Sequence, residues 1–101
     1  MGMVTLYRAV SEEEFQQLLN TDQFQTASHT LEGKFFAETP EHAVAWGEAL
    51  EGSGQYRIVE VQLTTHVADE LIRWERLDGI GPARYADLSQ LEHATIRLYE
   101  S

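Results

Sequence analysis

Gly33-Lys34-Phe35-Phe36-Ala37-Glu38-Thr39-Pro40-Glu41-His42 is the stretch whose reading decides the fold. Gly33 breaks whatever precedes it, and Lys34 to Glu38 reads as a strand. Thr39 is a helix cap, and Pro40 fills the first helical position, where a missing amide costs nothing. Glu41 suits the positive end of the helix that follows. Ala43, Trp46, Gly47 and Leu50 then recur at helical spacing, predicting one buried face. Glycine inside a helix costs about 1 kcal/mol relative to alanine, so Gly47 predicts a close approach by a neighbour.

Outward from this junction the chain alternates few helices with many strands. Met3 to Ala9 reads as a first strand, with Val4, Leu6 and Arg8 on one face and Thr5 and Tyr7 on the other. Ser11-Glu12-Glu13-Glu14 reads as a capping box opening a helix to about Asn20, its stripe Phe15, Leu18 and Leu19. Asp22 to Ser28 predicts a short strand around Phe24. Tyr56 to Leu63 is a strand with Val59, Val61 and Leu63 on one face and the more polar Ile58, Glu60 and Gln62 on the other. His66 to Leu71 predicts a short helix, Ile72 to Arg76 a strand, and Asp78 to Pro82 a turn. Ala83 to Asp87 predicts a strand, Ser89 to Glu92 a helical turn, and Ala94 to Tyr99 a closing strand. This order predicts a single α+β domain over residues 1–101, with two main helices on a sheet, rather than a regular alternating parallel sheet.

Composition bounds the function. The chain has 101 residues, 43% of them apolar, with two Trp, four Tyr and four Phe, as a globular domain requires. There is no cysteine, which excludes thiol chemistry and fits a reducing compartment. The first ten residues do not form a signal peptide, and the expected localisation is cytoplasmic. The net charge of −10 argues against nucleic-acid and anionic-membrane partners, which need lysine and arginine, and permits a basic protein partner. The four histidines, 29, 42, 66 and 93, show no ligand spacing, so no metal is expected.

The remaining candidates are polar and aromatic. Arg8, near the end of the first strand, can clamp a phosphate or carboxylate through its fork, or form an ordinary salt bridge. Phe35 and Phe36 point to opposite sheet faces, so one can enter the core while the other lines a cleft. Glu38 and Thr39 stand at a strand end above a helix start, where site residues gather, although a helix cap alone explains Thr39. Glu75, beside Trp74, reads as a raised-pKa acid or a stabiliser of a sugar cation, or equally as a solvated surface glutamate.

Leu6-Tyr7-Arg8-Ala9-Val10, a short helix, and then Gly33 to Ala43 together resemble small members of the ADP-ribosyltransferase fold. The likeness is to bacterial polymorphic-toxin C-terminal domains and to rifampicin ADP-ribosyltransferases, and it covers roughly residues 4 to 63. It implies a split β-sheet cleft and NAD as the cofactor. Arg8 would hold NAD, with Phe35, Phe36, Glu38 and Thr39 in the second motif. Glu75 or Glu92, chosen by position, would be the late acid, making Arg8 and Glu75 the catalytic candidates. Phe35 and Phe36 stand where the family often carries a hydroxyl, and no late Glu-x-Glu or Gln-x-Glu pair is present. The expectation is therefore an ADP-ribosyltransferase-like domain with a nucleotide- or protein-binding cleft, catalytic or not. The alternative is an acidic, immunity-type protein that binds a basic partner.

Overall fold

The structure, a computed structural model, describes residues 2–21, 33–77, 79–92 and 94–99. In chain order the elements are β1 (Met3–Ser11), α1 (Glu12–Thr21), β2 (Gly33–Ala37), α2 (Pro40–Leu50), β3 (Tyr56–Thr64), α3 (Thr65–Asp69), β4 (Ile72–Leu77), β5 (Gly81–Asp87) and β6 (Thr95–Leu98). A 3-10 turn, Leu88–Leu91, links β5 to β6. The strands form one six-stranded sheet in the order β4-β5-β2-β1-β3-β6, and every pair is antiparallel. The domain is therefore α+β. No helix among the described residues is long and apolar enough to cross a membrane. The strand expected over Asp22 to Ser28 lies outside the described residues.

Alternation along the strands gives the sheet two apolar faces. On one, Leu6, Val10, Phe36, Val59, Val61 and Leu63 meet Phe15 and Leu18 of α1, Ala68 of α3 and Leu91 of the 3-10 turn. On the other, Ala37 and Ile58 meet Ala43 of α2, with Tyr7, Ala9, Trp46, Tyr56 and Tyr99 packed around them. Each face needs a cover to remove its apolar side chains from water, and α1 and α2 provide one cover each.

Two helix stripes are narrower than their spacing predicts. Leu19 of α1 is 59% exposed and Leu50 of α2 is 71% exposed. Gly47, by contrast, is buried as expected: a Cβ there would stand 2.5 Å from Cδ2 of Tyr56. The helix starts also follow the sequence. Ser11 Oγ accepts from the Glu14 amide at 3.1 Å, and Thr39 Oγ1 accepts from the His42 amide at 3.2 Å. The reciprocal half of the capping box is not formed, because both Glu14 carboxylate oxygens accept from Arg8 instead.

Candidate functional site

The sheet is thin at its centre. β1 and β3 are in register at nine positions, from Met3↔Thr64 to Ser11↔Tyr56. β1 and β2 are in register at one, Tyr7↔Ala37. Beyond that pair the two strands part, so the one six-stranded sheet is joined least between β4-β5-β2 and β1-β3-β6.

Arg8 occupies the parting. Its Nη1 donates to the Phe35 carbonyl across the gap at 3.0 Å, replacing a ladder bond that β1 does not make. Nε and Nη2 donate to the two oxygens of Glu14 at 2.8 and 3.1 Å. This is the side-on fork that makes arginine–carboxylate pairs strong and directional. Both side chains are largely buried. Lys34 of β2 brings Nζ to 4.0 Å from the same carboxylate. Burial pushes the Lys34 ammonium down from its ordinary value, Glu14 pulls it back, and Arg8 repels it. The chain reverses from β1 into α1 at Ser11, which places Glu14 one turn into the helix and back over Arg8.

A cleft of about 460 Å³ opens beside this cluster, beneath α2. Its walls are Tyr7, Phe35, Trp46 and Leu50, and Phe36 and Arg8 contribute to the lining where the strands part. Ala9, Ala37, Ala43 and Ala83 complete the lining. Their single methyl groups leave the room that larger residues would fill. Phe35 and Phe36 divide as alternation requires. Phe36 is 1% exposed in the core, whereas Phe35 turns to the cleft face against Tyr85 and Trp74, with centroids 5.0 and 5.6 Å away. Tyr7 meets Tyr99 edge-on at 5.5 Å. Burial raises the Tyr7 phenol above its ordinary value, and Glu60, Tyr99 and Glu41 add to the shift. The Tyr7 hydroxyl therefore stays protonated near neutrality, as a donor.

Other residues read as site candidates stand elsewhere. Glu38 accepts from Arg73 Nε and Nη2 at 2.6 and 3.1 Å and from Arg84 Nε at 2.8 Å. The Arg73 bonds foremost, then those of Arg84, hold its carboxyl below the usual range against the opposing effect of burial. Arg84 also donates to the Ala68 carbonyl at 3.2 Å, tying β5 to α3. Glu38 thus joins β2 to β4 and β5. Thr39 caps α2, and its hydroxyl lies 2.9 Å from His42 Nδ1. Glu75 is 92% exposed, 3.9 Å from Arg73 Nη1, and does not line the cleft. Glu92 is exposed and does not line it either.

The cleft brings together Arg8, Phe35 and Phe36 from the sequence candidates, and adds Tyr7 and Trp46. Trp46 was legible only as a residue of the helix stripe. No carboxylate lines the cleft among the described residues, and its one formally charged residue is Arg8. The chain gives no match to protein families, to curated proteins or to solved structures.

Proposed function

We propose that this is an ADP-ribosyltransferase-like domain whose cleft binds a nucleotide of the NAD class, with binding rather than turnover as its task. The supporting observation is the aromatic cleft that opens where β1 and β2 part, with Arg8 at the parting. Tyr7, Phe35 and Trp46 offer flat apolar faces to a nicotinamide or adenine ring, and such rings gain both burial and stacking there. The fork of Arg8 is held by Glu14, so the rings of the nucleotide carry the affinity in this reading. Among the described residues the lining carries no acid to stabilise a sugar cation, which supports a binding role over glycosidic cleavage. Calorimetric titration with NAD tests the reading, with quenching of tryptophan fluorescence in a Trp74→Phe background, where Trp46 alone emits, as the local report. Binding to the wild type that Phe35→Ala abolishes is expected. No binding at millimolar NAD would refute the reading, and nicotinamide release would make the domain an enzyme.

A second reading rests on charge. The net charge is −10, and Glu41, Glu48 and Glu51 are exposed on α2 and its C-cap. This surface suits a basic protein partner. Such a complex would weaken steeply between low and high salt, and a salt-insensitive complex would count against it.

A further inference from the structure

Arg8 is the cationic residue of the cleft lining, and its fork is already taken. Glu14 engages Nε and Nη2 in the geometry a ligand phosphate would use. The pair is largely shielded from water, so the attraction is stronger than at an open surface. An incoming phosphate therefore meets both an occupied fork and a neighbouring negative charge.

From this geometry we infer that Glu14 is the residue that sets the ligand selectivity of the cleft. It acts as an internal counter-ion that lets uncharged rings enter and admits a phosphate only by giving up Arg8. The inference rests on the nucleotide reading of the cleft. Lys34 makes the exchange feasible. Its ammonium already stands 4.0 Å from Glu14 Oε1, so a displaced carboxylate has a second cation within reach. The Nη1 bond to the Phe35 carbonyl places the guanidinium in the gap between β1 and β2, at the edge of the cleft whose lining includes Arg8. Glu14 is a specificity residue that acts through Arg8, and it is not itself part of the cleft lining.

The test compares adenosine with AMP, which share a ring and differ by a phosphate. The wild type is expected to bind AMP no more tightly than adenosine. Glu14→Gln keeps the side-chain length, and the Ser11 cap survives because it uses the Glu14 backbone amide. In this variant AMP is expected to bind at least ten-fold tighter, with adenosine changed by less than two-fold. Adding Arg8→Ala to Glu14→Gln should return AMP to the wild-type level. Adenosine binding with an unchanged AMP-to-adenosine ratio would overturn the role of Glu14 and leave the cleft reading standing. Failure of either protein to bind either ligand would overturn both. A measurement on the wild type alone makes the test independent of the variant's folding. The Arg8 Nε–H resonance should move at saturating AMP and stay in place with adenosine. An unmoved resonance with AMP bound would overturn the proposal.

Discussion

The helix backbone at Gly47 lies directly against the ring of Tyr56: a Cβ on residue 47 would stand 2.5 Å from Cδ2 and 2.7 Å from Cγ. These atoms belong to the root of the ring, so the tyrosine can make room only by changing rotamer or by pushing α2 off the sheet. Gly47→Ala would gain helix propensity of about 1 kcal/mol. The clash outweighs it, and a net loss of roughly 1–3 kcal/mol is expected in urea denaturation. Combining Gly47→Ala with Tyr56→Ala should make the second alanine at 47 neutral or favourable, a coupling that a double-mutant cycle reads directly.

Glu38 ties stability to acid. Its folded-state carboxyl titrates below the unfolded one, chiefly through the hydrogen bonds of Arg73. A depressed carboxyl contributes stability that is complete above the unfolded value of 4.5 and is lost as the pH falls through the folded value. Glu38→Gln should cost about 1 kcal/mol or less at pH 7, because solvent screens the exposed Arg73 and mainly the part-buried Arg84 loses its carboxylate. The difference between the two proteins should shrink steadily below about pH 4.5. Denaturation midpoints measured from pH 7 down to pH 3 check both the offset and its closure.

Tyr7 gives the opposite limb. Its phenol is raised above 10.0 by burial and by neighbouring acids. The fold thus retains a proton that the unfolded chain releases, and stability falls as the pH rises past the unfolded value. Tyr7→Phe should flatten this alkaline loss. It should also remove a late-titrating phenol from the ultraviolet titration.

Arg8→Ala separates packing from recognition. It leaves a largely buried Glu14 carboxylate with Lys34 at 4.0 Å and removes the bridge to the Phe35 carbonyl. A loss of roughly 2–3 kcal/mol is expected, from the stranded charge as much as from the lost bonds. Adding Glu14→Gln should restore part of it, because the second change removes the stranded charge. Thermal denaturation of the two variants measures the recovery.

Leu50 tests whether the cleft wall extends to the end of α2. The side chain is 71% exposed yet lines the cleft. Leu50→Gln keeps helix propensity, so stability should stay within about 0.5 kcal/mol. NAD affinity should fall by roughly three- to ten-fold as the apolar contact is lost. An unchanged affinity would place the ligand deeper, against Trp46.

Local signals carried most of the fold. The Thr39-Pro40 start, the Ser11 cap, the alternation of Tyr56 to Leu63 and the closing strand all stand where residue chemistry puts them. Gly47 was legible as a close approach, although nothing local named Tyr56 as the neighbour. Periodicity reports direction around a helix and not burial: Leu50 shares the cleft face with Ala43 and Trp46 yet is exposed, and Leu19 is exposed as well. The residues that meet at the cleft were legible only in part. Arg8 and the Phe35-Phe36 pair could be singled out from their strands. That Glu14 would abandon its capping partner for Arg8 could not, since the choice depends on how sharply the chain reverses at Ser11. The exposure of Glu75 and the bridging role of Glu38 likewise depend on sheet order, which joins residues 38, 73 and 84 from three strand neighbourhoods.

The single register position between β1 and β2 has a consequence for how the halves are held together. β1, β3 and β6 lie on one side of the gap and β2, β4 and β5 on the other, so the chain passes between them four times. Covalent stitching thus substitutes for ladder bonds. Neither half is a continuous stretch of sequence, so neither can be excised as a folding unit. Each of the four crossings limits how far the two halves can separate, and the Arg8 bond to the Phe35 carbonyl ties them across the gap.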